Sequence, residues 1–536
     1  MQPMTIFNDI RTARNCMSLL AALVCPIALL PGVAHADVQV SSLFGDNMVL
    51  QRGMAVAVWG MAAPGEAVTV KIGEAKAETK ADTCGKWTAK LPAMKTNATA
   101  QQLIITGKNT LTIQNVLVGD VWVCAGQSNM EMALGSCNAP QDIAAANFPT
   151  LRCFKPGKCS MAWPGTESNG RWISCTPESA ATLTAAGFYF ARRIQKETGI
   201  PIGLLDVSWC GSRIELWMPV LAFEAEPALT SMLQELKKPA DTYRASAYAS
   251  LDALEKWLPE ARKAMATLGT EIPRAPQLPA EPNVTEIYPS TIYNGMVHPI
   301  TPLAIKGVIW YQGESNGGEG MEIYRIKMRA LIDSWRKAWK QGEFPFYFVQ
   351  LANYEGVDNR PAAAGPYARN REAQLLCLQI ANTGMAVAVD IGEEKDIHPK
   401  NKFDVGERLA AWALHHDYGR KDLVPSGPLY KSMQLEDGKI RVSFDYVGAG
   451  LMVGKKDGRN PVVEDTAGKL KQFAVAGADK TWHWADAVID GKSILVSSPQ
   501  VPKPVEVRYA YDHNPFGCNL YNKDGLPASP FRSDKW

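Results

Sequence analysis

The chain has 536 residues, 46% of them hydrophobic and 21% charged, which is material for two to four packed domains and excludes a disordered or fibrous chain. Lysine plus arginine number 56 against 54 acidic residues, a net charge of +2, so no charge excess recommends nucleic acid or an anionic membrane surface as a partner.

The first 36 residues read as a secretory signal peptide. Arg11 and Arg14 precede an apolar stretch from Cys16 to about Leu30, and Ala34-His35-Ala36 is a small-x-small cleavage triplet. Pro26 and Pro31 interrupt a run already short for a membrane span, and no later stretch is long and apolar enough to cross a bilayer. The expected destination is the periplasm or the exterior, with no membrane association after cleavage. Of the eleven cysteines, nine lie beyond residue 36. In an exported protein they invite disulfides, and Cys137, Cys153, Cys159 and Cys175 are close enough in sequence to pair in any of three ways.

Residues 37–118 read as a β-sandwich-like domain. Strand candidates at 56–59, 68–70, 86–89 and 103–105 are separated by Gly, Pro and Asn. From 119 to about 420 the pattern changes to apolar strands alternating with helices, the signature of a parallel α/β sheet. Strands are expected at 120–124, 203–208, 307–311, 346–350 and 386–390, with helices near 178–198, 320–340, 367–380 and 403–417. Residues 220–290 interrupt this order as a helical and then Pro-rich insertion, with a helix over 251–268. From 421 to 536 short strands return, at 440–446, 493–497 and 505–511.

Four of the α/β strands end in polar clusters. The first leaves through Gly126-Gln127-Ser128-Asn129. A serine at such a turn either caps the following helix or is a nucleophile held at the C-terminal edge of the sheet, where open α/β folds place their ligands. The second ends in Ser208-Trp209-Cys210-Gly211-Ser212-Arg213, where glycine permits close backbone approach to a ligand. The third ends in Gln312-Gly313-Glu314-Ser315-Asn316, offering an amide that can donate to an oxyanion and a carboxylate that can orient a partner or bind a sugar hydroxyl. The fourth runs into Asp396-Ile397-His398-Pro399. A serine nucleophile needs a histidine base with an orienting group behind it. Six histidines follow residue 36: His298, His398, His415, His416, His483 and His513. His398 has Asp396 two residues before it, and His298 is its main rival. No cysteine or histidine spacing suggests a metal site.

Together these segments resemble the sialate O-acetylesterase family within the SGNH (GDSL-like) hydrolases. The resemblance is carried by LFGDNMVLQR (43–52), GDVWVCAGQSNMEM (119–132), GLLDVSWCGSRIELW (203–217), YNGMVHPITPLAIKGVIWYQGESN (293–316), DIHPKNKFDVGERLAAWAL (396–414) and the C-terminal VRYAYDHNPFGCNLYNKDGLPASPF (507–531). It implies a three-layer α/β/α SGNH domain flanked by β-rich regions, and a carbohydrate O-acetylesterase working without a metal or organic cofactor. By position, Ser128 matches the nucleophile and His398 the base. The N–H groups of Ser128 and Gly211 and the Gln312 side chain match the oxyanion donors, so Gln312→Ala is expected to affect turnover more than stability. Asn129, Arg213, Glu314 and Asn316 are assigned to substrate binding. The Asp-x-x-His spacing of many SGNH enzymes is absent, because Lys395 stands three before the histidine. The acid is therefore Asp396, Glu394 or Glu314, or a backbone carbonyl does its work. The same chemistry serves acetylated hemicellulose such as xylan or xyloglucan. A catalytically inactive carbohydrate binder, using tryptophans such as Trp59, Trp482 and Trp484, is the alternative of another class.

Overall fold

The computed structural model describes residues 37–280, 288–361 and 363–536. The expected signal peptide and the end of the Pro-rich stretch, 281–287, lie outside the described residues. Residues 37–536 pack as one unit.

Its centre is a sheet built from β1 (Thr110–Gly126), β2 (Phe148–Pro156), β3 (Gly170–Cys175), β4 (Ile202–Asp206), β5 (Gly307–Tyr311), β6 (Phe346–Gln350) and β7 (Thr383–Val387), in the spatial order β3-β2-β4-β1-β5-β6-β7. Neighbours run parallel, except for the edge strand β3, which is antiparallel to β2. Parallel strands covered on both faces read as unbroken apolar runs, and every residue of β5 and β6 is buried. Successive side chains point to opposite faces. Val121, Val123 and Ala125 join Trp310, Phe346 and Phe348 in one core, while Trp122 and Cys124 join Tyr311, Tyr347 and Val349 in the other.

Its helices include α1 (Ser128–Glu131), α2 (Ala185–Thr198), α3 (Thr230–Met265), α4 (Met321–Trp339), α5 (Pro366–Leu376) and α6 (Lys402–Asp417). Side chains of α4 and α5 fill the first core, and those of α2 and α6 fill the second. The result is the three-layer α/β/α arrangement. The insertion is dominated by α3, 36 residues long with Pro239 and Pro259 inside it. β1 is also long: its first half pairs antiparallel with Asn97–Thr106 of the N-terminal β region, and its second half lies in the central sheet. The C-terminal region is β-rich, with two four-stranded sheets, the first built on Leu429–Glu436, Lys439–Asp445, Asp486–Asp490 and Ser493–Ser497 and the second on Phe473–Ala476, Trp482–Trp484, Glu506–Tyr509 and Phe531–Arg532.

The β2–β3 hairpin is not in the expected element order. Pro149, Arg152, Lys155 and Pro156 break its pattern, yet Arg152 is buried, donating to the Pro149 carbonyl (2.6 Å) and to Ser174 Oγ (2.6 Å). The expected disulfides are absent too: all nine described cysteines are free thiols. Cys153 lies opposite Ile173 in the hairpin and Cys175 opposite Phe148, so closeness in sequence does not face them toward each other. No described helix is long and apolar enough to cross a membrane.

Candidate active site

The four polar clusters meet at the C-terminal edge of the sheet. β1 ends at Gly126, whose φ of +130° disfavours other residues, and a Cβ there would fall 2.2 Å from the Tyr311 carbonyl oxygen. This close approach lets the Gln127 N–H donate to that carbonyl at 2.9 Å, fixing the turn against the end of β5. The N-cap of α1 is Gln127, not Ser128, and makes no side-chain capping bond. Ser128 Oγ instead lies 2.8 Å from His398 Nε2.

His398 sits on the loop that follows β7. Asp396 Oδ1 accepts from the His398 backbone N–H at 2.8 Å and lies 3.5 Å from the ring Nδ1, while Oδ2 is bound by Lys400 Nζ at 2.9 Å. The Lys400 bond first, and the His398 N–H second, hold the Asp396 carboxyl below its ordinary range. Glu314 is engaged elsewhere. Asn129 Nδ2 donates to its Oε1 at 2.5 Å, and burial raises its carboxyl. Among the described residues, Asp396 is the one carboxylate in ion-pair range of the His398 ring. The rival His298 is spent on the Gly165 carbonyl through Nδ1 (2.8 Å), and His415 Nδ1 faces the Leu423 carbonyl (2.7 Å).

Gly211 lies on the loop after β4, with φ of +71° and open space around its Cα. The loop is fixed by the Trp209 N–H on the Gly126 carbonyl (2.9 Å) and the Cys210 N–H on Glu131 Oε2 of α1 (2.5 Å). Among the described residues neither the Ser128 nor the Gly211 N–H has an acceptor, so both are available to an oxyanion.

Gln312, expected as an oxyanion donor, is turned inward. It is 0% exposed, and its Nε2 faces Asn316 Oδ1 (2.7 Å), Gln127 Oε1 (3.2 Å) and the Ser212 carbonyl (3.2 Å), while its Oε1 accepts from Tyr324 Oη (3.0 Å). An amide closed in this way ties the strand ends together and presents nothing to a substrate. Asn316 is likewise buried, accepting from Gln312 and from the Ile214 N–H (3.0 Å) and donating to Glu215 Oε2 (3.1 Å). Asn129 is buried as well, so neither asparagine offers a surface for substrate binding. Arg213 is 47% exposed at the rim, but it is ion-paired with Glu319 and with Glu215 (3.3 Å). Glu314 is partly exposed as a residue, although its Oε2 is out of solvent and has no hydrogen-bond partner among the described residues.

Lys402 was not singled out in the sequence. Its Nζ is fully buried, donates to Asn129 Oδ1 (2.8 Å) and to the Pro399 carbonyl (2.5 Å), and is pushed down to about 8 by burial. The available signal was a lysine in the first turn of a helix, where the macrodipole disfavours cations. No group of three or more His, Cys, Asp or Glu side chains that could hold a metal ion occurs among the described residues.

A profile of the carbohydrate esterase, sialic acid-specific acetylesterase family matches residues 265–415. The sialate O-acetylesterases of Rattus norvegicus and Homo sapiens are each 27% identical to this chain, covering 92% and 96% of it and 93% and 96% of their own lengths. A solved carbohydrate acetylesterase from Xanthomonas citri is 35% identical, covers 93% of this chain and 100% of its own, and superposes with a TM-score of 0.76. Likeness at that identity over the whole of the solved chain establishes that this chain belongs to the carbohydrate acetylesterases, and its segment ending in the His398 loop and α6 is similar to the sialic acid-specific acetylesterase family.

Proposed function

We propose that the protein removes O-acetyl groups from carbohydrates by acyl transfer through Ser128 and His398. The observation that carries this reading is the 2.8 Å approach of Ser128 Oγ to His398 Nε2 at the C-terminal edge of the parallel sheet. With Nδ1 protonated, Nε2 accepts the serine proton as Oγ attacks the acetyl carbonyl carbon. The tetrahedral oxyanion faces the Ser128 and Gly211 N–H groups. Collapse breaks the ester C–O bond, and Nε2 returns the proton to the departing sugar oxygen. Water then attacks the acetyl-serine, passes its proton to Nε2, and acetate leaves as Oγ regains a proton. Asp396, at 3.5 Å from Nδ1, is the carboxylate placed to support the imidazolium.

Ser128→Ala is expected to abolish acetate release from 4-nitrophenyl acetate with the thermal unfolding curve unchanged. Turnover at the wild-type rate in that variant would remove Ser128 from the mechanism. An inactive binder would not be labelled at Ser128 by an organophosphonate, whereas the esterase is. Two of the tryptophans named for the binder reading are committed, Trp59 edge-on against Phe44 (4.8 Å) and Trp482 under the Arg508 guanidinium (4.2 Å), while Trp484 is exposed.

The neutralisation of Arg213 by Glu319 and Glu215 favours a second reading of the substrate. A sialate carboxylate calls for an uncommitted cation, while acetylated xylan or xyloglucan fragments do not. Acetate release from O-acetylated sialic acid compared with acetylated xylo-oligosaccharides separates the two. Export rests on the composition of residues 1–36, and a mature N-terminus at Asp37 is the expected product.

A further inference from the structure

His398 is gripped from both sides along the chain. The carbonyl before it, on Ile397, accepts from Asn129 Nδ2 at 3.0 Å. The carbonyl after it, on Pro399, accepts from Lys402 Nζ at 2.5 Å. The two donors are joined to each other, since Lys402 Nζ also donates to Asn129 Oδ1 at 2.8 Å. Asn129 is the residue next to Ser128. One continuous set of hydrogen bonds therefore runs from the nucleophile's own helix to the backbone on either side of the base.

The usual device for holding such a base is weak here. Asp396 Oδ1 stands 3.5 Å from Nδ1, beyond ordinary hydrogen-bond range, and its closer partners are the His398 backbone N–H and Lys400. The lysine, in contrast, sits where stability alone disfavours it. It is fully buried and in the first turn of α6, so both desolvation and the helix dipole oppose its charge. The groups around it are Asn129, the Pro399 carbonyl, the Tyr311 ring at 5.6 Å, the Glu314 and Glu393 carboxylates, Lys400 and the Cys137 thiol.

We propose that Lys402 and Asn129 are positioning residues forming a bracket that sets His398 against Ser128, and that this bracket, more than the Asp396 contact, fixes the base. The proposal rests on the acyl-transfer reading above. Lys402→Met frees the Pro399 carbonyl and loosens Asn129. A displacement of the imidazole by about 1 Å costs on the order of 100-fold in turnover.

The test measures kcat and KM separately on 4-nitrophenyl acetate for Lys402→Met, Asn129→Ala, Asp396→Asn and the double variants, well below each unfolding transition. Lys402→Met is expected to lose about 100-fold in kcat with KM within about threefold. Lys402→Met/Asn129→Ala is expected to be no worse than its poorer parent by more than about threefold, because both act through one bracket, whereas Lys402→Met/Asp396→Asn should show the product of the two losses. A merely structural lysine would move the melting temperature without this pattern. Should Lys402→Met not fold, Lys402→Gln and Asn129→Ser carry the same comparison. A kcat retained within threefold, a rise in KM alone, or multiplying losses for Lys402 and Asn129 would overturn the bracket. Wild-type enzyme that releases no acetate, or Ser128→Ala that releases it normally, would instead overturn the acyl-transfer reading and the bracket with it.

Discussion

The two oxygens of Asp396 go to different partners, a backbone N–H and a lysine, and the imidazole receives only a 3.5 Å contact from one of them. The side chain is also 37% exposed, so solvent screens what attraction remains. Among the groups that act on the Asp396 carboxyl, Lys400 and the His398 backbone N–H come first and the charge of the ring last. Asp396→Asn should therefore cost about tenfold in kcat, far less than the ~10⁴-fold loss on removing a triad aspartate. Steady-state kinetics on 4-nitrophenyl acetate check this. A loss of several thousandfold would show that Asp396 carries the ring after all.

At the scale of elements, the site is three strand-end turns drawn together by one buried amide. Gln312, just past β5, faces Gln127 of the turn after β1, the Ser212 carbonyl of the turn after β4, and Asn316 of its own turn. Tyr324 Oη of α4 closes the remaining position. Truncating this side chain strips partners from Asn316 and Tyr324 deep in the protein, where an orphaned polar group costs about 1–3 kcal/mol. Gln312→Ala is thus expected to lower unfolding stability by about 2–4 kcal/mol while kcat, measured in the folded range, falls less than tenfold. An oxyanion donor would behave oppositely, with ~10²–10³ lost in rate and stability intact. Denaturant melts run beside kinetics distinguish the two. The strands themselves were legible, because a strand buried on both faces must be a short apolar run, and 307–311 and 346–350 coincide with β5 and β6. That the Ser128, Gly211 and His398 turns meet was legible because strand ends in a parallel sheet share one edge, while their roles came from the family resemblance. The inward-facing amides were not: glutamine and asparagine have the same letters whether they meet a sugar or one another. The β2–β3 hairpin was hidden for a related reason, since Arg152 satisfies its charge internally in a way that composition does not reveal.

Across the whole molecule, the C-terminal β region is joined to the catalytic sheet at the edge that carries His398. Tyr521 Oη donates to Asp390 Oδ2 at 3.0 Å, and the same carboxylate pairs with Arg408 of α6 (2.8 Å). Gln350 at the end of β6 donates to Ser529 Oγ (2.9 Å), and Asn353 donates to Asn514 Oδ1 (2.9 Å). The central fastening is Arg371 of α5, fully buried, whose guanidinium donates to the carbonyls of Leu351 (2.8 Å) and Ala352 (2.9 Å) on one side and of Asp512 (2.7 Å) and His513 (2.8 Å) on the other. Burial pushes it down to about 10, which leaves it charged at neutral pH with four carbonyls as its acceptors. Two regions fastened through buried polar groups should unfold together, so calorimetry on the wild-type protein is expected to give one transition over residues 37–536. Arg371→Met fills the same volume but leaves those carbonyls facing an apolar chain, a loss of about 3–5 kcal/mol on the scale of breaking a buried charged network. The C-terminal region should then melt ahead of the catalytic sheet, and because Asp390, which that region holds, lies on the His398 loop, activity should disappear with the first of the two transitions. A single transition within about 1 kcal/mol of wild type would show that the remaining contacts hold the C-terminal region without Arg371.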